Sequence, residues 1–250
     1  MLLNLYNLIL IPWLILAIIS FLFLFKIDAP YGKFSNKNWG FLINFKLGWF
    51  IQEIISPLFL FYFFIIGTGE KTFLHWFLIS IWIIHYINRS IIFPLRINKS
   101  SEIPLFIIFL AMFFNTVNGF TNGFYMGNLA SFSNNYIYNL NFIFGITLFI
   151  IGVSINLIAD NILIKIKNEG KGYQIPKGKL YDFISCPNYL GEMIEWIGFA
   201  IMCWSIPSLL FAIWTIANLF PRAISQHKWY NETFKDNYPI KRKAILPYIL

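Results

Sequence analysis

Seven apolar runs divide this sequence, near 4–25, 47–67, 72–95, 103–121, 139–164, 183–203 and 205–225. A helix needs about 20 apolar residues to cross a hydrocarbon core of roughly 30 Å. In lipid every backbone amide must find its partner inside the structure, so spanning segments are helices or closed barrels. Of the 250 residues 58% are hydrophobic and 12% charged, too apolar for an ordinary soluble domain of this size. The expected fold is all-α, a multi-pass integral membrane bundle of about seven helices in one domain. The stretch Trp204-Ser205-Ile206-Pro207 separates the last two runs, because Pro207 is better tolerated at a helix start than within one.

The formal charge of +8 is one-sided. Lys26, Lys33, Lys37 and Lys46 precede the second run, Arg96 and Lys99 the fourth, and Lys165, Lys167, Lys171, Lys177 and Lys179 the sixth. Lys228, Lys235, Lys241, Arg242 and Lys243 fill the tail, leaving Lys71 across the membrane. Positive residues favour the cytosolic side, which sets the N-terminus outside and the C-terminus in the cytosol of a bacterial inner membrane or endoplasmic reticulum. Leu2 to Phe25 has neither a basic leader nor a small-residue cleavage site, so a retained first helix is expected over a signal peptide. Cys186 and Cys203 are too few for a disulfide framework and read as buried thiols. The uncharged stretch Gly119 to Leu140 fits an outer loop or re-entrant element. The tail after Arg222, with Trp229, Tyr230, Phe234 and Tyr238 among basic residues, fits a helix lying at the cytosolic interface.

Polar residues concentrate in one cassette, Asn156 to Trp196. Asn156 and Asp160 share a helical face, as do Asn188, Glu192 and Glu195, and between these stripes lies a lysine- and glycine-rich loop. Its positive field suits a phosphate-bearing ligand. An ionised carboxylate at the bilayer centre costs about 2.5–3.5 kcal/mol, so Glu53, Asp160, Glu192 and Glu195 each require a reason. Desolvation favours the neutral acid at Glu53, several residues inside an apolar run. His85 and Arg89 share a face in the third run. Asn115, Asn118 and Asn122 form a stripe that could bond a ligand or a neighbouring helix.

No GxGxxG, HExxH, CxxC or nucleophile elbow occurs, and His75, His85 and His227 are scattered, which disfavours triad chemistry and a metal site. Three functions fit these features. They are a small transporter or receptor, an S-adenosylmethionine-dependent membrane methyltransferase of the isoprenylcysteine or phospholipid type, and the membrane reductase that the family resemblance of the motifs below implies.

A set of motifs separates them. YGKF at 31–34, WFIQE at 49–53, HYINR at 85–89, NLIAD at 156–160, GYQIPKGKLYDFISCPNYLGEMIEWIGF at 172–199 and the closing RKAILPYIL together resemble the steroid 5α-reductase family. The resemblance covers nearly the whole chain. It implies reduction of the C=C bond of a 3-oxo-Δ4 steroid or similar enone lipid by NADPH, without metal or flavin. It implies Glu53 and Tyr86 as the pair that polarises the substrate carbonyl, with Gln52 shaping the pocket. It also implies Asn156, Asp160, Lys167, Tyr173, Asn188, Glu192, Arg222 and Tyr230 as cofactor residues. Arg89 joins the cofactor group and Asn118 the substrate group. On this likeness, helices within 1–100 serve the substrate and 101–250 the cofactor; the partners are substrate and bilayer, with neither nucleic acid nor an obligate protein partner. The sequence departs from the family at Lys167, where an Arg is expected, at Gln226, in place of a His-rich run, and in the fourth run, which lacks the Arg that animal members carry.

Overall fold

In a computed structural model the described residues are 1–27, 32–34, 39–98 and 101–250, without the side chain of Lys33. Tyr31 of the YGKF motif, Lys37 and Lys99 lie outside them. The elements are α1 (Leu2–Leu24), β1 (Leu42–Asn44), α2 (Phe45–Ile65), α3 (Phe73–Ile87), a π-helical turn (Asn88–Ile92) leading into α4 (Phe93–Leu95), β2 (Glu102–Pro104), α5 (Leu105–Asn128), α6 (Leu140–Asn168), α7 (Pro187–Cys203) and α8 (Ile206–Phe234). Among the described residues six spans are long and apolar enough to cross a membrane, α3 to α4 counting as one, Phe73–Leu95. The 17-residue α7 is the shortest of the seven predicted spans, about 25 Å at 1.5 Å per residue. The fold is an all-α multi-pass membrane bundle.

The chain forms two compact units, Met1–Asn7 with Ala29–Tyr136 and Leu8–Asp28 with Ile137–Leu250. In the first, β1 pairs antiparallel with β2, Leu42 opposite Pro104, so the starts of α2 and α5 are tied together. The two helices then run side by side in the same direction at backbone contact. A Cβ on Gly119 would stand 2.8 Å from Ser56 O, and one on Gly127 2.7 Å from Phe64 O. Lipid gives no hydrophobic drive between helices, so such small residues supply packing. Two prolines interrupt the backbone ladders of this unit. Pro57 removes from the α2 ladder the amide that would bond the Glu53 carbonyl. Pro94 follows the π-helical turn and brings no amide to the Arg89 carbonyl five residues before it.

In the second unit α6 and α7 run antiparallel, with Gly145 and Gly152 facing Gly198 and Gly191. A Cβ on Gly191 would meet Asn156 N at 2.5 Å. Trp204 ends α7 in the left-handed region at φ 47°, and the Ser205 hydroxyl accepts the amide of Ser208 to start α8, as the Trp204–Pro207 hinge predicts. The closing segment returns to the start of α7. Ser185 N donates to Lys243 O at 2.8 Å, and Ile245 packs fully buried with Cys186, Met193, Leu219 and Ala223. Both cysteines are buried free thiols.

Three boundaries differ from the sequence reading. Gly119–Asn128 are the last turns of α5 rather than loop, because glycines that would unravel a solvated helix here seat it against α2. Lys165 and Lys167 sit in the last turn of α6 rather than in the loop, where their charge complements the helix dipole. The tail from Arg222 to Phe234 is helical as expected, but it continues α8 without a break beyond the 205–225 run.

Candidate functional site

The first unit gathers Gln52 and Glu53 of α2, Tyr86 of α3 and Asn115 and Asn118 of α5. Gln52, Tyr86, Asn115 and Asn118 are buried and Glu53 is half-buried. The Tyr86 hydroxyl donates to Asn115 Oδ1 at 3.2 Å, and Asn115 Nδ2 donates to the main-chain carbonyl of Gln52 at 2.6 Å. Gln52 Nε2 donates to Glu53 Oε1 at 3.1 Å, while Gln52 Oε1 is buried with no hydrogen-bond partner among the described residues. A buried acceptor left open costs about 1–3 kcal/mol, so a ligand donor has something to gain there. Tyr86 is held at both ends. Its ring stacks on Trp82 at 5.8 Å, and its carbonyl accepts Ser90 Oγ at 2.6 Å. Trp82 in turn donates its indole N–H to Ser56.

Arg89 also belongs to this unit, whereas the other predicted cofactor residues belong to the second. Its guanidinium packs over Trp49 and Phe93 at 5.2 and 5.3 Å, and its carbonyl accepts Trp49 Nε1 at 2.9 Å. Because Pro94 and the π-helical turn interrupt the ladder here, that carbonyl is available to an indole from another helix. The regular α spacing predicted from His85 to Arg89 is interrupted for the same reason. Asn118 Nδ2 bonds Phe114 O of its own helix at 2.9 Å, and Asn122 Nδ2 bonds Asn118 O. Of the asparagine stripe, Asn115 is the member that joins Gln52 to Tyr86. Sequence reasoning placed it in the stripe without giving it a role.

In the second unit the glycine-packed crossing brings the two predicted stripes together. Asn156 Nδ2 donates to Asn188 O at 3.0 Å, and Asn188 Nδ2 donates to Asp160 Oδ1 at 3.2 Å. Glu192 follows Asn188 by one turn of α7 and is half-buried; Glu195 is buried. Tyr181, 1% exposed, places its hydroxyl 3.5 Å from Ala159 O; burial, then the Asp160 carboxylate, pushes its phenol well above the ordinary value. From α8, Arg222 Nε donates to the Tyr189 hydroxyl at 2.9 Å, and Tyr230 stacks on Tyr238 with centroids 5.4 Å apart. Lys167 is half-buried at the end of α6, and exposed Tyr173 meets Trp229 edge-on at 5.1 Å.

Two features of this unit were not visible beforehand. Ser185 Oγ lies 2.6 Å from both His227 Nδ1 and the Tyr238 hydroxyl, and 3.1 Å from Lys243 O. Arg242, 4% exposed, lies over the Tyr238 ring at 5.1 Å, with Nε and Nη1 lacking hydrogen-bond partners among the described residues. A buried guanidinium in that state gains from an anion. Cations, phenols and amide donors beside the carboxylates of Asp160, Glu192 and Glu195 suit a phosphate-bearing ligand that also carries hydroxyl donors. Among the described residues no group of three or more His, Cys, Asp or Glu could hold a metal ion.

The fold and these clusters define a class: a multi-pass membrane protein with buried donors in one unit and a cationic, donor-rich set in the other. The family model described as 3-oxo-5-alpha-steroid 4-dehydrogenase matches residues 101–250. A protein of Gossypium hirsutum named steroid 5-alpha-reductase is 37% identical over 246 residues, 94% of this chain and 93% of its own. Rattus norvegicus 3-oxo-5-alpha-steroid 4-dehydrogenase 1 is 33% identical over 238 residues, covering 94% and 92%. Homo sapiens 3-oxo-5-alpha-steroid 4-dehydrogenase 2 is 34% identical over 216 residues, covering 82% and 80%. The chain belongs to the steroid 5α-reductase family of oxidoreductases.

Proposed function

We propose that the protein reduces the C=C bond of a 3-oxo-Δ4 steroid or similar enone lipid to the 5α-reduced ketone, with NADPH as cofactor. The observation that carries this reading is the linked set Gln52, Asn115 and Tyr86 beside Glu53, buried in apolar helices of a steroid 5α-reductase relative. Bound NADPH would supply the hydride. Hydride addition at the β-carbon would build negative charge on the enone oxygen, and the resulting enolate would take a solvent-derived proton at the α-carbon to give the saturated ketone. Donors fixed in a dry site stabilise such charge far better than donors in water. The Tyr86 phenol stays protonated at neutral pH, its unperturbed pKa being about 10. Glu53, as the neutral acid, is the second donor.

Asn156, Asp160, Lys167, Tyr173, Asn188, Glu192, Arg222 and Tyr230 form the proposed cofactor set, and Arg89 supplements it. Lys167 acts as a point charge where a bidentate Arg is usual. The loss of a family Arg and His leaves the substrate class as wide as an enone lipid. The lysine and arginine distribution supports a cytosolic C-terminus, the side from which NADPH is supplied.

The test is direct. Purified protein in lipid nanodiscs, given NADPH and a 3-oxo-Δ4 steroid, is expected to consume absorbance near 340 nm and to yield a product heavier by two hydrogens. Steroid-independent oxidation with no such product would overturn the reading.

A further inference from the structure

Asn115 is an amide buried in an apolar bundle, 2% exposed, at the meeting of three helices. Asn118, Thr121 and Asn122, one and two turns along the same helix, send hydrogen bonds to carbonyls of that helix, at Phe114, Val117 and Asn118. Asn115 reaches α2 and α3 instead. Its 2.6 Å bond to the Gln52 carbonyl can only be donated by Nδ2, since a carbonyl has no proton to give. That fixes the amide the other way round at its far end. Oδ1 faces Tyr86, and because Oδ1 can only accept, the bond at 3.2 Å spends the single proton of the Tyr86 hydroxyl.

This bears on the reaction. The phenol has one proton, and at rest it points at Asn115. To donate to an enone oxygen the hydroxyl must turn about its C–O bond and leave Oδ1. At 3.2 Å the resting bond is longer than the usual 2.5–3.0 Å of an O–H···O bond, hence weak and readily exchanged. The ring meanwhile stays fixed by Trp82 and the Ser90 contact to its main chain, so only the proton changes partner.

We propose that Asn115 is the positioning residue of Tyr86: it fixes the phenol oxygen at rest and releases the phenol proton to the enone oxygen when substrate binds. This rests on the reading of Tyr86 as a donor to the enone. Its signature is an effect on turnover that runs through Tyr86 and leaves the cofactor alone.

Asn115→Leu keeps size and removes both polar ends. It is expected to lower kcat by ~10-fold or more, on the scale of a misplaced catalytic proton donor, with KM for NADPH unchanged. In a Tyr86→Phe background the same change is expected to cost little, because residues acting as a unit are not additive. Asn115→Asp is the conservative variant: as a neutral acid it reproduces both bonds, and as a carboxylate it loses the donor to Gln52. Its activity relative to the native protein is therefore expected near native at low pH and falling as pH rises. Native kcat in Asn115→Leu overturns the inference, as does an equal cost with and without Tyr86. Should the Leu variant fail to fold, a pH profile of Asn115→Asp parallel to native overturns it. Failure of the underlying reading looks different, since Tyr86→Phe itself would then turn over normally.

Discussion

The two units use one packing device for two purposes. In each, glycines let a helix pair touch backbone to backbone, α2 on α5 and α6 on α7. The parallel pair of the first unit is joined to a third helix through Asn115, which donates to the Gln52 main-chain carbonyl and accepts from the Tyr86 hydroxyl. The antiparallel pair of the second turns its polar groups on each other, Asn156 to Asn188 to Asp160. The first arrangement makes a small set of buried polar groups, which on the proposed reading serve one substrate oxygen. The second makes a ladder at the root of a basic loop, suited to a long, charged ligand. Close helix contact thus sets how near polar groups come, and helix direction sets which neighbour they meet.

The largest expected effect separates the units by function. Glu53→Leu, which removes the acid proton and supplies no other donor, should cut turnover by ~10²–10³, the usual cost of one donor to a developing oxyanion, while NADPH binding, followed by nucleotide fluorescence, stays native. An equal loss of nucleotide binding would place Glu53 with the cofactor and blur the distinction.

Next comes the packing itself. In Gly191→Ala the new Cβ meets Asn156 N at 2.5 Å and Gly152 O at 2.7 Å, backbone atoms that cannot step aside. We expect a stability loss of about 1–3 kcal/mol from overpacking and weaker NADPH binding, read by thermal melting with and without nucleotide. Gly119→Ala in the first unit, 2.8 Å from Ser56 O, should lower turnover more than nucleotide affinity. The reverse pattern would mean that the two helix pairs do not divide the work.

A smaller effect tests cofactor choice. Arg222→Ala, Lys167→Ala and Lys171→Ala should each raise KM for NADPH more than for NADH, because the 2′-phosphate calls for a cation. Lys171 also pairs with Glu169 at 3.8 Å, but that pair is exposed and contributes little. Equal shifts for both nucleotides would assign these cations to topology.

The smallest is a pH effect on stability. Tyr181 is buried, and its phenol is raised above the ordinary 10.0 by burial first and by Asp160 second. The unfolded chain therefore gives up this proton at lower pH than the folded one, so stability is full below about pH 10 and falls as pH rises beyond it. Tyr181→Phe should flatten that alkaline fall in a pH series of melting temperatures. An unchanged slope would show that the group does not contribute.

Much of the second unit could be read along the chain, because its polar residues recur at helical spacing and its loop is marked by lysine, glycine and proline. Asn156, Asp160 and Asn188 were found that way, and they do meet. Asn115 was hidden because its role depends on which atoms of α2 and α3 come within reach, and a stripe of asparagines has the same spacing whether it bonds a ligand or its own helix. Arg242 and Ser185 were hidden by chain return, since the closing segment folds back to the start of α7. The end of α5 reads as an outer loop or re-entrant element because the stretch from Gly119 carries no charge, and its helix shows only where Gly119, Gly123 and Gly127 lie against the α2 backbone.

The central claim is that Tyr86 is an enone donor rather than a packing residue. Its most direct measurement is Tyr86→Phe assayed with NADPH and a 3-oxo-Δ4 steroid, nucleotide affinity being measured on the same preparation. The account predicts turnover lowered by ~10²–10³ with NADPH affinity unchanged. Turnover within a few-fold of native would contradict it.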